Sequence, residues 1–185
     1  MIISFELSEA DLERLQQLMN QARQNAEHRA LDDIVAAARR LLEDVRRSDA
    51  SGFIRDRMNT LEILIGMVTD SSWGLIEEDK ERVINALAYF SETDDLIPDE
   101  IPVLGYLDDA IMIEIVSLEL QHEIQAYRDF VMYRSVELAR LGDAAATPDR
   151  AQWLENRRQQ LHSRMRRRRR RGDKAQQGRS PFSLL

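Results

Sequence analysis

Residues 95–111, DLIPDEIPVLGYLDDAI, decide the fold more than any other stretch of the chain. Pro98 has no amide proton and disfavours helix at Ile97, so a preceding helix cannot run through this segment. Pro102 suits the first turn of a new helix, where no intrahelical donor is needed. We therefore predict a helix, a proline turn and a second helix, with Gly105 at a close contact between helices.

The aspartates of this stretch have two interpretations. In the first, Asp99 caps the new helix and Asp108 and Asp109 lie in its early turns, where the helix dipole favours negative charge. In the second, Asp95, Asp99 and one of Asp108 or Asp109 bind a divalent metal ion, since hard cations prefer carboxylate oxygens. Successive helix residues diverge by about 100°, so Asp108 and Asp109 cannot both bind one ion.

The same segment resembles the signature of the YkvA-like family, a small bacterial domain whose pattern runs P-x-D-L-I-P-D-x-I-P-x-x-G-x-x-D-D. The resemblance covers roughly residues 73–140 and implies a helical fold, but the family has no established biochemical activity. The matching residues are Asp95, Leu96, Ile97, Pro98, Asp99, Ile101, Pro102, Gly105, Asp108 and Asp109.

The length and composition of the chain limit the classes of protein to which it can belong. A chain of 185 residues that is 43% hydrophobic is long enough for one domain with a core. It has no cysteine, which excludes disulfides, thiolate catalysis and cysteine zinc sites and fits a reducing cytoplasm. The first residues lack a secretory signal, and the longest uncharged run, residues 83–91, is too short to cross a bilayer. We expect a cytoplasmic protein that associates with membranes only peripherally.

Hydrophobic periodicity predicts an all-α fold, an irregular helical bundle with a helix, a proline-rich turn and a long-helix hairpin, followed by a basic carboxy-terminal tail. Residues 102–141 form one long helix or two nearly continuous ones. The expected organisation is a helical domain over residues 1–142, a linker and amphipathic helix over 143–163, and a disordered or loosely helical tail over 164–185. The other predicted helices span residues 9–29, 31–47, 53–68 and 77–90, and a last helix runs from 148 to at least 160.

Charge is divided unevenly along the chain. Residues 156–185 carry ten arginines and one lysine against Asp173, a balance of +10, so the preceding 155 residues carry –17. Such a basic run binds phosphates without sequence preference. The predicted polyanion-binding residues are Arg157, Arg158, Arg164, Arg166, Arg167, Arg168, Arg169, Arg170 and Arg171.

Nucleic acid is the favoured partner of this tail, with Trp153 available to stack on a base. Three alternatives remain. The tail can bind anionic lipid through a basic helix with Leu154, Leu161 and Met165 on its apolar side. It can also fold onto the acidic body of its own chain or of a neighbouring copy, or it can stay solvated.

Two further clusters resemble sites. Glu119 and His122 form half of a di-iron E-x-x-H motif, but neither His28 nor His162 completes a second one, which favours a place for His122 at the edge of the core. A polar and aromatic cluster either lines a pocket or, as we favour, forms a buried hydrogen-bond network between helices. Its members are Tyr127, Arg128, Asp129, Tyr133, Arg134 and Glu137.

No catalytic residue or phosphate-binding loop is evident. The sequence thus favours a non-catalytic interaction or adaptor protein that binds a polyanion through its arginines. The alternative is a hydrolase that depends on a divalent metal ion at Asp95, Asp99 and Asp108; no other cofactor and no small-molecule substrate is expected. A second copy of the chain is a further candidate partner.

Overall fold

The computed structural model describes residues 8–26, 28–90, 105–141 and 148–176. Over these ranges the chain forms α-helices and no strand, which confirms the all-α prediction. The helices are α1 (Glu9–Ala26), α2 (Leu31–Arg47), α3 (Gly52–Thr69), α4 (Glu77–Tyr89), α5 (Leu107–Glu119), α6 (Gln121–Leu141) and α7 (Pro148–Gln176).

The first helix begins with a reciprocal capping box. The Ser8 amide donates to Asp11 Oδ2 at 2.9 Å, and the Asp11 amide donates to Ser8 Oγ at 3.2 Å. Helix α1 ends at Ala26, three residues before the predicted end. The reason is a tight turn in which the Arg29 amide donates to the Ala26 carbonyl, so that α2 can start at Leu31.

Helix α3 lies at the centre of the bundle and packs against α2, α4, α5 and α6, while α1 packs against α4 and α7 against α6. Trp73, in the loop between α3 and α4, is fully buried. Its ring contacts those of Tyr127, Phe130 and His162, with centroid distances of 5.6, 5.1 and 4.2 Å. The loop after α3 is therefore anchored in the core and connects α6 with α7.

The proline turn falls partly outside the described residues, which exclude Asp95, Asp99, Pro98 and Pro102. The description resumes at Gly105, which is buried as its predicted packing role requires.

A helix that runs unbroken from residue 102 was a wrong expectation. Tyr106 is left-handed, with φ 65°, and α5 begins only at Leu107. A left-handed conformation costs a residue such as tyrosine about 1 kcal/mol or more, and packing of the Tyr106 side chain against the core offsets this cost. Leu120 alone separates α5 from α6, so the prediction of two nearly continuous helices is confirmed.

Residues 164–176 differ from the expected disordered or loosely helical tail. They form the second half of α7, which continues to Gln176. Arginine is a good helix former, and Leu161 and Met165 are buried at 3% and 1% exposure on the side of α7 that faces the protein. The helix therefore persists because its apolar side completes the core.

Candidate functional site

A buried ion cluster holds α7 against the rest of the protein. Asp79 on α4 and Glu123 on α6 have fully buried side chains. Arg169 Nη1 donates to Asp79 Oδ1 at 2.5 Å and to Glu123 Oε1 at 2.9 Å. One guanidinium thus joins carboxylates from two helices, which satisfies charges that would be costly to bury alone.

Three further side chains complete this cluster. Arg169 Nη2 donates to Glu78 Oε1 at 3.2 Å, Arg166 Nη1 lies 3.6 Å from Asp79 Oδ2, and Arg82 Nε lies 3.8 Å from Glu123 Oε1. Three guanidinium groups therefore face three carboxylates, and the charges balance. Burial by itself lowers the pKa of Arg169, but the hydrogen bonds to Asp79 and Glu123 outweigh it and raise that pKa overall.

His162 lies on α7 beside this cluster and is itself buried, with 6% of its surface exposed. Its ring meets Trp73 edge to face at 4.2 Å. Burial, followed by the positive charges of Arg166 and Arg158, lowers the pKa of His162 to about 4. The imidazole is consequently neutral at pH 7 and acts as a packing residue.

The predicted polyanion-binding arginines on α7 differ in the contacts that they make. Arg166 and Arg169 face the body and are used in the ion cluster. Arg157 lies over the Tyr133 ring at 4.8 Å, and Arg158 pairs with Glu155 at 2.5 Å. The remaining five are exposed to solvent. Arg164, Arg167 and Arg170 form what we call the outer arginine face, whereas Arg168 and Arg171 line a cleft beside α6.

The polar cluster on α6 forms a partly buried network between helices at Tyr127 and Arg134, as the favoured interpretation predicted. Arg134 Nη1 lies 2.7 Å from Asp70 Oδ2, and the Tyr127 hydroxyl donates to the same oxygen at 3.3 Å. Burial, and then the negative charge of Asp70, raises the pKa of Tyr127 to about 12. Asp129 lies apart from this network and accepts a hydrogen bond from Gln125 at 2.8 Å.

Of the candidate metal ligands, only Asp108 and Asp109 fall in the described residues. Both are buried in the first turn of α5, where the helix-dipole interpretation placed them. Within the described part of the chain, no three His, Cys, Asp or Glu side chains are arranged to hold a metal ion. The metal interpretation stays a prediction, because Asp95 and Asp99 lie outside that part.

The E-x-x-H motif does not occupy one continuous helix. Glu119 is the last residue of α5 and His122 lies in the first turn of α6, with Leu120 between the two helices. The i, i+3 geometry that a di-iron site needs from a single helix is therefore interrupted. His122 instead lies on the wall of a cleft beside Arg168 and Arg171.

The apolar side of α7 does not face solvent. Leu161 and Met165 are buried, and Leu154 packs against the core. The hypothesis that the tail binds anionic lipid relied on these side chains, which pack inside the protein instead. Among the described residues, no helix has the length and apolar character needed to cross a membrane.

Glu78, Asp79 and Glu123 were not predicted as partners of the arginines. A signal was present for two of them. Asp79 precedes Val83 by four residues, and Glu123 follows Leu120 by three, so each carboxylate lies on the buried side of its helix. A charged residue in an apolar stripe needs a partner of opposite charge, and the long arginine run supplies one.

A family model described as a protein of unknown function, DUF1232, matches residues 82–115. The match runs from α4 into α5 and includes the proline segment, so it is compatible with the YkvA-like resemblance, which rests on the same residues. This part of the chain is therefore similar to a domain that has no known activity. No curated protein and no solved structure matches the chain.

Proposed function

We propose that this protein is a non-catalytic nucleic-acid-binding protein whose outer arginine face contacts the phosphate backbone. The proposal rests on the two different roles of the arginines on α7. Arg166 and Arg169 hold the helix against the body, and the exposed arginines Arg164, Arg167 and Arg170 remain available.

The docking of α7 also determines the kind of contact. One side of this helix is buried against the bundle, so it cannot be surrounded by the walls of a major groove. It can present only its outer face, which spans about 9 Å between residues 164 and 170 at 1.5 Å per residue. Such a face neutralises phosphates and carries no base readout, so binding is independent of sequence.

The charge of the rest of the chain disfavours nucleic-acid binding outside α7. Residues 1–155 carry a formal charge of –17, which repels a polyanion from the body. Binding therefore concentrates on α7, and the acidic body orients the protein on the nucleic acid.

The test is the salt dependence of duplex affinity for the full chain and for a triple variant, Arg164→Gln, Arg167→Gln and Arg170→Gln. We expect the slope of log affinity against log salt to fall by about 2 to 3, since each phosphate contact contributes about 0.9. A matched control carries Arg14→Gln, Arg39→Gln and Arg40→Gln, which remove the same charge from exposed positions on α1 and α2.

Equal slopes for the triple variant and the control would overturn the proposal. So would binding to vesicles that contain phosphatidylserine with none to the duplex, because the arginines would then serve a lipid surface. The unfolding of each variant is also measured, so that a smaller slope of log affinity against log salt is not mistaken for the effect of an unfolded protein.

A further inference from the structure

An open cleft of about 680 Å³ lies where α3, α5, α6 and α7 meet. Arg128 and His122 reach it from α6, and Arg168 and Arg171 reach it from α7. Gln121, Gln125, Ser117 and Thr60 add polar groups, and Ile124 adds an apolar side. Among the described residues that line the cleft there is no carboxylate, in contrast to the balanced ion cluster on the neighbouring side of α7.

The three guanidinium groups of the cleft are available to a ligand. In the described part of the chain, Arg128, Arg168 and Arg171 donate to no carboxylate, whereas Arg166 and Arg169 are paired with Asp79. Cations that converge without counter-ions repel one another, and a bound anion removes that repulsion.

From this arrangement we propose that the cleft binds a small phosphorylated molecule. Arginine forks match the geometry of phosphate oxygens and bind them with paired hydrogen bonds. A volume of about 680 Å³ lies within the range of roughly 300–1,000 Å³ typical of small-molecule sites. The cleft therefore has room for phosphates together with an organic group that packs on Ile124.

The docking of α7 aligns two of these cations. Arg168 and Arg171 flank Arg169, whose contacts with Asp79 and Glu123 set the rotation of the helix. Gly172 approaches the opposite wall, because a Cβ built on it would lie 3.5 Å from His122 Nε2. The cleft thus exists only while α7 is docked, and its third guanidinium, Arg128, comes from a different helix.

The experiment is isothermal titration of the full chain with inorganic pyrophosphate and with ATP at 0.15 M NaCl. We expect saturable binding that falls about 10- to 100-fold in Arg128→Gln, the range that corresponds to losing one charge-assisted hydrogen-bonding partner. The double variant Arg168→Gln and Arg171→Gln is expected to lose at least as much. The matched control, Arg164→Gln with Arg167→Gln, removes the same charge from α7 outside the cleft and is expected to change affinity less than about threefold.

The two ligands distinguish the source of affinity. Equal affinities mean that two phosphates alone are recognised, and a tighter ATP complex assigns the difference to its third phosphate together with the nucleoside that packs on Ile124. No saturable binding of either ligand, or an equal loss in the control, would overturn the inference.

This inference is independent of duplex binding. Arg128→Gln is expected to preserve the salt slope for a duplex, and the Arg164, Arg167 and Arg170 variant is expected to preserve binding of pyrophosphate. A protein that binds duplex but neither small ligand contradicts the cleft site alone; one that binds pyrophosphate but no duplex contradicts the proposed function alone.

Discussion

Arg169 and Asp79 lie 90 residues apart in the sequence and share a hydrogen bond of 2.5 Å inside the protein. The same guanidinium nitrogen binds Glu123, so one side chain of α7 neutralises carboxylates on α4 and α6. Both carboxylates are fully buried and need this partner. The basic helix is therefore part of the fold, although its sequence has the composition of a solvated tail.

Replacement of Arg169 by methionine should be strongly destabilising. It leaves Asp79 and Glu123 buried with their shared partner gone, and breaking a buried ion pair in this way typically costs about 3–5 kcal/mol. Urea unfolding followed by circular dichroism measures the loss. Arg170→Met, at an exposed position one residue on, is the matched control and should change stability by no more than about 0.5 kcal/mol. Similar losses for the two variants would show that the ion cluster does not hold α7.

His162 should make stability depend on pH in a defined window. Its pKa is about 4 in the folded protein against 6.5 for the ordinary side chain. Between these values the unfolded chain binds a proton that the folded chain does not, so stability should fall as the pH drops from about 6.5 to 4 and then level off for this group.

The measurement is the free energy of unfolding across that pH range for the wild type and for His162→Gln. The other titratable groups are common to both proteins, so their contribution largely cancels in the difference. The wild type should show the steeper fall. Parallel curves would mean that the imidazole is as easily protonated in the folded protein as in the unfolded one.

Gly66 on α3 should resist even a methyl group. A Cβ at this position would lie 2.8 Å from the Tyr127 hydroxyl and 3.1 Å from its Cε1. Gly66→Ala must displace the ring that contacts Trp73 and the hydroxyl that binds Asp70, and overpacking of this kind costs about 1–3 kcal/mol.

Gly172 on α7 provides the matched substitution. Among the described residues, its Cβ would meet only His122 Nε2, at an ordinary 3.5 Å, so Gly172→Ala should stabilise the protein by up to about 1 kcal/mol through helix propensity. Thermal unfolding of both variants tests the pair. A stabilised Gly66→Ala protein would show that the Tyr127 ring moves without cost.

Local sequence signals predicted most of the helices. The main errors arise where contacts between distant parts of the chain determine the structure. The start of α1 follows from Ser8 and Asp11, which are three residues apart and bind each other directly. The left-handed Tyr106 has no such local signal, since tyrosine rarely adopts that conformation and only packing against the core compensates for it.

The arginine run shows that local sequence signals also predict only part of the candidate site. Its composition predicts a solvated or polyanion-binding segment, and the exposed arginines, such as Arg164 and Arg170, keep that property. Helical spacing places Arg169 on the apolar side of α7, four residues after Met165, but it does not indicate which groups Arg169 or Arg166 would bind. Their partners come from α4 and α6, and which carboxylates α7 would meet depends on how three helices pack.

Salt should separate the buried ion cluster from surface pairs. The side chain of Arg169 is 12% exposed and those of its partners Asp79 and Glu123 are 0% exposed, so mobile ions cannot enter between them. The Arg47–Glu43 pair on α2 spans 3.1 Å with exposures of 74% and 58%. Raising the salt from 0.1 to 1 M shortens the screening length from about 10 to 3 Å and acts mainly on exposed charges.

We therefore expect the stability lost in Arg169→Met to be nearly the same at 0.1 and 1 M NaCl. The loss in Arg47→Met should be at most about 0.5 kcal/mol at low salt and should vanish at high salt. Chemical unfolding by urea, which adds no ions, measures both variants under the two conditions. If the loss in Arg169→Met also disappears at 1 M NaCl, solvent reaches the cluster and α7 is held only by surface charge. If it persists, α7 remains docked at high salt, and any salt-dependent loss of duplex binding arises at the outer arginine face.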